Sequence, residues 1–330
     1  MMERVISFAV LGYGHIGKRH VAWIHQHPAA TLAAIVEPDV QLASEIRINL
    51  QVPCFTSLDN LFASEFSVDV ICVCVPNYLH APLTIFALQN RCHVLCEKPL
   101  ALTAAEAQAM QQAAELRGKF IFCVVQNRYS KSARWMKDLI SQNVLGQVYQ
   151  VQVTCFWNRD ARYYAGSSWR GKLITDGGPL FTQFSHFVDT LYWWLGELEP
   201  VQAQFFNFNH GPITEFEDTG EVWLKSVTGV RVSLHYSTAA YEHNLESSII
   251  ILAEKGSIKI SGQYLEQVTA CNPASLRLAF PEQSIANSPN NHQLVLDNVL
   301  QTLQGKSAPT ATAADGVAVV RIIEKIYQLR

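Results

Sequence analysis

No apolar run in the 330-residue chain approaches the ~18–20 residues of a membrane span. The opening segment, MMERVISFAVLGYGH, lacks the anatomy of a secretory signal, because its apolar stretch runs directly into glycines. It is expected to be a first strand. Charge is sparse, at 16% of residues, and the formal balance is −3. That argues against nucleic acid or an anionic membrane as the main partner, but a small anionic ligand needs only local cations. None of the eight cysteines forms C-x-x-C, and no zinc pattern exists, so no metal is expected. Cys72 and Cys74 alternate on one face of an expected strand, as reduced core thiols do, and a cytoplasmic location follows. Repeats and low-complexity tracts are absent.

What is present is core material. Hydrophobic residues make up 49% of the chain, which excludes extensive disorder, and the length suggests two domains. The first ~125 residues alternate strand and helix. VDVICVCVP is an unbroken, β-branched apolar run, as expected of a strand buried on both faces of a parallel sheet. The expectation is an α/β Rossmann domain over residues 1–126. After Gln126 the pattern changes to half-exposed strands, with Gly229 and the EKG segment marking hairpin turns. Residues 127–330 are expected to form an α+β domain with an open, largely antiparallel sheet. NSPNN (287–291) reads as a loop, and helices near 290–304 and 313–329 close the chain. The apolar alternation of the strands suggests a homo-oligomer, dimer or tetramer, packed through this sheet.

Three segments carry chemistry. The loop Gly12-Tyr13-Gly14-His15-Ile16-Gly17 matches G-x-G-x-x-G after a strand and before a helix, the setting a dinucleotide fingerprint requires. Phosphates sit at such a helix N-terminus. Glu37 ends the second strand, twenty residues on; a carboxylate there accepts the ribose hydroxyls and repels a 2′-phosphate, which favours NAD. VCVPNYLHA ends the fourth strand at the ligand-facing edge, so Pro76, Asn77 and His80 are candidate cofactor contacts. In CEKPL, Glu97 and Lys98 end the fifth strand, and Pro99 forces an extended backbone at Lys98. The third segment is TDGGPLFTQFSHFVDTLYWWLG (175–196), expected to be one helix from Pro179 to Leu195. It sets His186 in an apolar run, either as a satisfied core histidine or facing a substrate.

Together, GYGHIG, EKPL and the downstream GG…H-x-x-D helix resemble the Gfo/Idh/MocA oxidoreductase family over nearly the whole chain. The resemblance implies that Lys98 and His186 flank the reacting carbon. The family's helix commonly reads G-G-G-x-L-x-D-x-G-x-H-x-x-D, whereas here it is DGGPLFTQFSHFVD. His186 and Asp189 match; Thr182 stands where the aspartate is usual. Thr182 and His186, at i and i+4, are expected to share a helix face. The upstream WRG segment, Trp169 to Gly171, resembles the UDP-N-acetyl-2-amino-2-deoxyglucuronate dehydrogenases within the family. By position, Gln126 resembles a nicotinamide-side residue, and Trp169 and Arg170 resemble residues that reach the cofactor. Asn127, Arg128, Tyr163, Thr182 and Gln183 are substrate candidates, Arg128 for an anionic group or alternatively a domain-linking salt bridge. Arg159, Arg162 and Tyr164 are further contacts for a diphosphate or uridine.

The implied reaction is NAD-dependent oxidation of a secondary sugar hydroxyl, at C3 of UDP-N-acetylglucosaminuronate in the resembling subgroup, for surface-polysaccharide synthesis. His186 is the favoured base, since the reference imidazole pKa of ~6.5 lies near working pH. Lys98 would polarise the oxygen or relay its proton. A free sugar or inositol is the alternative substrate, and a non-catalytic NAD-binding sensor the alternative class.

Overall fold

The computed structural model describes residues 4–277 and 290–330. The chain divides into two compact units, residues 1–124 with 292–317, and residues 125–291 with 318–330.

The first unit is built on six parallel strands: β1 (Ile6–Leu11), β2 (Ala30–Val36), β3 (Cys54–Phe55), β4 (Val70–Val73), β5 (His93–Cys96) and β6 (Ile121–Cys123). They lie in the order β3-β2-β1-β4-β5-β6. This is the doubly wound order whose ligand crevice opens where the winding reverses, between β1 and β4. Helices α1 (His15–Gln26), α2 (Val40–Leu50), α3 (Leu58–Phe62), α4 (His80–Gln89) and α5 (Ala104–Arg117) connect the strands. Their ends follow local chemistry. The Asp39 carboxylate accepts from the Gln41 and Leu42 N–H groups to start α2, and Thr103 and Glu106 form a reciprocal capping box on α5. All four residues of β4 are buried, as its apolar run requires.

In the second unit a 3₁₀ turn (Gln126–Tyr129) leads into α6 (Lys131–Ser141) and β7 (Val148–Phe156). Four helices follow: α7 (Ala161–Tyr164), α8 (Leu173–Asp176), α9 (Pro179–Thr182) and α10 (Ser185–Leu195). Then come β8 (Leu198–Phe206), β9 (Thr219–Ser226), β10 (Arg231–Ser237), β11 (Glu246–Ala253), β12 (Gly256–Ser261), β13 (Gln267–Asn272) and the short α11 (Ala274–Arg277). The seven-stranded sheet runs β13-β12-β11-β7-β10-β9-β8. β7 and β10 pair in parallel and the other neighbours antiparallel, so the sheet is largely antiparallel as the alternation implied.

The chain closes with α12 (Asn291–Leu303) and α13 (Ala313–Tyr327). Here the organisation departs from a single division after Gln126. Residues 292–317 return to the first unit, because α12 buries its apolar side there. His292 stacks on Trp23 of α1 with centroids 4.9 Å apart, and Asp297 lies 3.3 Å from His27. The first three residues of the NSPNN loop lie outside the described residues.

A second departure concerns the helix expected from Pro179 to Leu195. It is interrupted: α9 ends at Thr182, and α10 begins at Ser185 after a non-helical Phe184 (φ −106°, ψ 3°). The break coincides with the packing of the Phe184 ring against Trp157 (5.1 Å) and Tyr236 (5.3 Å). Thr182 and His186 therefore belong to different helices, and the shared-face expectation fails.

Arg128 is not a free anion-binding cation. Its Nε and one terminal nitrogen donate to the two oxygens of Asp189, at 2.9 and 2.7 Å, with the arginine side chain 1% exposed and the aspartate 3%. The parallel, two-point geometry suits guanidinium and carboxylate. It fixes the 3₁₀ turn on α10 inside the second unit, so the pair is a salt bridge but not the domain-linking one expected. Removing one partner strands a buried charge. Arg128→Met is expected to lower unfolding free energy by about 3–5 kcal/mol in a denaturant titration. Pairing it with Asp189→Leu should recover part of that loss. A single-variant loss under about 1 kcal/mol would show that the pair does not anchor the turn.

Candidate active site

The first candidate cluster lies within the first unit, at the reversal of the parallel sheet. β1 ends at Leu11, and Gly12 turns the chain with φ +90° while its N–H bonds the Val36 carbonyl at 2.8 Å. A Cβ on Gly12 would lie 2.6 Å from the Cys74 carbonyl oxygen, and one on Gly17 only 2.0 Å from the Gly12 carbonyl oxygen. Both positions are thus closed to any side chain. Gly14, at the N-cap of α1, is the opposite case: a Cβ there meets nothing within 4 Å. Open space at a helix N-terminus, ringed by Tyr13, His15 and Ile16, is what a pyrophosphate needs. The Glu37 carboxylate is held over this loop, accepting from the Tyr13 N–H at 2.9 Å and the Asp39 N–H at 3.1 Å. These residues fit a dinucleotide with free ribose hydroxyls.

The neighbouring turns are braced from inside. After β4, Pro76 caps a 3₁₀ turn in which Asn77 is buried. His80 is fully buried, with Nδ1 2.6 Å from the Pro99 carbonyl and Nε2 2.9 Å from the Val75 carbonyl. Burial lowers its pKa, although both carbonyls favour the protonated ring. Both nitrogens are occupied by backbone, so His80 positions two site loops and is not a cofactor contact. Glu97 is likewise turned inward. It accepts from Nε2 of His20 on α1 at 2.8 Å, with side-chain exposures of 9% and 4%. Burial alone would raise its pKa, but the His20 hydrogen bond and charge outweigh it and the net shift is downward. Lys98 is thus carried on a turn fixed by His20 through Glu97 and by His80 through Pro99. Sequence reasoning missed His20; its signal was a histidine one turn past the last glycine.

A second candidate cluster lies within the other unit, where the 3₁₀ turn meets α10. The Gln126 amide nitrogen is 3.1 Å from His186 Nε2, and both side chains are buried. With the amide donating, Nε2 is the unprotonated nitrogen of a neutral ring. Around it several buried polar atoms have no hydrogen-bond partner among the described residues: Gln126 Oε1, both amide atoms of Asn127, and Ser185 Oγ. Buried polar groups are ordinarily paired, so this cluster marks a surface shaped for a ligand. Ser185 was not foreseen, since an internal serine carries no sequence signal.

Thr182 gives its hydroxyl proton to the buried Asp176, whose main-chain carbonyl lies 3.0 Å from the same oxygen. Asp176 also accepts the Gly171 N–H at 2.9 Å. Gln183 bridges Tyr163 and Arg159: its amide donates to the tyrosine oxygen and its carbonyl accepts from Arg159 Nε, each at 2.7 Å. Arg170 lies over the Tyr163 ring (4.5 Å to the centroid) and the Trp169 ring (5.3 Å). Arg162 is spent on a surface pair with Asp160. Of the substrate candidates, Tyr163 and Gln183 are gathered into this aromatic cluster, Asn127 lies in the turn beside Gln126, and Arg128 is withdrawn.

Comparison with known proteins agrees with this geometry. Residues 6–125 match the profile of an oxidoreductase family with an NAD-binding Rossmann fold, and residues 133–259 match the GFO/IDH/MocA C-terminal domain. The chain superposes with TM-score 0.88 on the WlbA dehydrogenase of Bordetella pertussis, solved with NADH and UDP-GlcNAcA. Identity is 30%, over 99% of this chain and 96% of that one. D-Glucoside 3-dehydrogenase of Escherichia coli K12 is 26% identical over 99% of this chain and 96% of its own. The 2,7-anhydro-N-acetylneuraminate hydratase of the same organism is 28% identical over 78% and 68%. The two domain matches, over residues 6–125 and 133–259, on a chain whose glycine loop leaves open space at the start of α1, establish it as an NAD-dependent oxidoreductase of the Gfo/Idh/MocA family.

Proposed function

We propose that the protein oxidises a secondary hydroxyl of a nucleotide-linked sugar, at C3 of UDP-N-acetylglucosaminuronate, as a step in surface-polysaccharide synthesis. The observation that carries this is the full-length likeness to a dehydrogenase solved with NADH and UDP-GlcNAcA. The aromatic, arginine-bearing cluster at Arg159, Tyr163 and Arg170 supports a substrate larger than a free sugar.

Bound NAD supplies the hydride acceptor. The chain's residues orient the alcohol and move its proton. His186 takes the hydroxyl proton at Nε2, the nitrogen that the Gln126 amide marks as unprotonated. When the substrate hydroxyl displaces that amide, Gln126 and Asn127 offer their unpaired groups to the ligand. Lys98, fixed by the two histidine braces, polarises the reacting oxygen or relays the proton. Glu37 selects NAD through the ribose, with Pro76 and Asn77 lining the same crevice; Trp169 packs beside Arg170.

Among the described residues no helix is long and apolar enough to cross a membrane, and we place the enzyme in the cytoplasm, where NAD and its reduced thiols belong. We also propose a homo-oligomer, dimer or tetramer, through the second sheet, whose β9 and β11 expose Trp223 and Leu252. Light scattering should return two or four chain masses, and a monomer at micromolar concentration would refute it.

The reaction is tested at 340 nm with NAD, 2-oxoglutarate and either UDP-N-acetylglucosaminuronate, methyl glucosides or myo-inositol. Absorbance growth, or 2-hydroxyglutarate, only with the UDP-sugar is expected. Reduction only with free polyols or glucosides would overturn the substrate. Lys98→Ala and His186→Ala should each lower kcat by about 10²–10⁴-fold while NAD still binds. Full activity in either variant would remove that residue from the chemistry. Gly17→Ala should weaken NAD binding at least tenfold by calorimetry, since its Cβ meets backbone oxygen at 2.0 Å. Unchanged affinity would mean the loop is not the phosphate cradle.

A further inference from the structure

Two of the arginines in and around the second unit's candidate cluster are already paired with carboxylates. Arg128 is locked to Asp189 and Arg162 to Asp160. Arg159 and Arg170 differ. Arg159 donates to the Gln183 carbonyl at 2.7 Å, the Asn158 main-chain carbonyl at 2.6 Å and the Asn244 amide oxygen at 3.2 Å, all neutral. Arg170 donates to the Tyr163 carbonyl at 3.4 Å, and its Nε is buried with no partner among the described residues. Neither guanidinium pairs with a carboxylate among those residues. Both lie over one ring, 5.3 and 4.5 Å from the Tyr163 centroid. Asp176, the carboxylate felt at Tyr163, already accepts from Thr182 and Gly171.

Two partly buried like charges sharing one aromatic ring repel each other, and neutral acceptors offset only part of the cost. Burial lowers the Arg159 pKa; the neighbouring Tyr163 and Tyr164 counter this, and Arg170 adds to the lowering. An arrangement of this kind is completed by an anion. We propose that Arg159 and Arg170 form an anion subsite for the substrate, taking its diphosphate or its carboxylate by charge-assisted hydrogen bonds, with Tyr163 as the platform between them. Planar guanidinium forks match both groups. Gln183 fastens Arg159 and Tyr163 to the segment that leads into α10, three residues before His186. An anion held here is therefore registered against the proposed base. This rests on the sugar-nucleotide reading above and assigns Arg170 to substrate instead of cofactor.

The test uses the full-length protein with saturating NAD. Inhibition or binding is measured for UDP, uridine and glucuronate, and turnover for UDP-N-acetylglucosaminuronate and its neutral counterpart UDP-N-acetylglucosamine. Wild type should bind UDP or glucuronate much more tightly than uridine, and a preference for UDP over glucuronate identifies the diphosphate as the occupant. Arg159→Gln and Arg170→Gln should each raise KM or the inhibition constant about 10- to 100-fold. In both, kcat should fall less than KM rises and NAD affinity should hold. Arg159→Lys should recover part of the loss.

Equal binding of uridine and UDP by wild type, with no binding of glucuronate, would overturn the subsite. So would glutamine variants that bind these anions normally. An Arg170→Gln variant that loses NAD affinity while keeping its KM for substrate would return that residue to the cofactor. If the variants fail to fold, the wild-type inhibition constant for UDP must rise steeply between low and high salt, whereas salt independence overturns the proposal. Failure of the sugar-nucleotide reading has another signature: no turnover of UDP-sugars, with anion binding still dependent on Arg159.

Discussion

The candidate cluster of the second unit depends on the buried pair between Arg128 and Asp189. Sixty-one residues separate the partners in sequence, and nothing local would hold the 3₁₀ turn against α10. Two charges have been taken out of water for it, a cost met only because the guanidinium and carboxylate meet at two points, at 2.9 and 2.7 Å. The neighbours of Arg128 inherit the precision. Gln126 reaches His186 at 3.1 Å because Arg128, two residues on, reaches Asp189, one helical turn beyond His186. The H-x-x-D spacing thus joins the proposed base to a structural residue on the same helix face.

The first unit solves the same problem with histidines. The residues flanking Lys98 are held by rings from two different helices, His20 on α1 through Glu97, and His80 at the start of α4 through Pro99. α1 is also the helix whose N-terminus is the proposed phosphate cradle. A movement of that helix is therefore transmitted to the turn bearing Lys98 by a single buried contact of 2.8 Å. His80 adds the Val75 carbonyl, tying the β4 and β5 ends together. A flexible lysine stem retains rotamer freedom wherever its backbone is placed, so rigidity has to be supplied by the residues on either side.

What was legible in the sequence were features whose cause is local. The glycines of the first loop are written in the chain because Gly12 and Gly17 have no room for a Cβ. The buried parallel strands show as unbroken apolar runs, and the sheet of the second unit shows as alternation. What was not legible depended on partners distant in sequence. Nothing near His80 announces that its ring lies between two carbonyls, so its position at a strand end suggested a cofactor contact. A closing helix near 290–304 was expected, but not that Trp23, far earlier in the chain, would be its partner. The interruption at Phe184 is set by Trp157 and Tyr236, with no proline or glycine to mark it.

The family's aspartate has no counterpart at position 182, yet the structure does not leave that place without acidity. Asp176 lies one hydrogen bond behind Thr182, buried, and receives its hydroxyl proton. A hydroxyl whose proton is committed to a carboxylate presents only lone pairs in other directions. Thr182 is thereby an acceptor toward any ligand, as a carboxylate would be, but without net charge at that point. The negative charge is set back toward Gly171 and the Tyr163 platform. Moving the charge changes which neighbours can be positive, because the carboxylate at 176 lies on the side of the arginine-bearing ring. The substitution therefore does more than delete a group. It couples the acid to the segment between Gly171 and Gln183, while the neutral amide of Gln126 lies against His186.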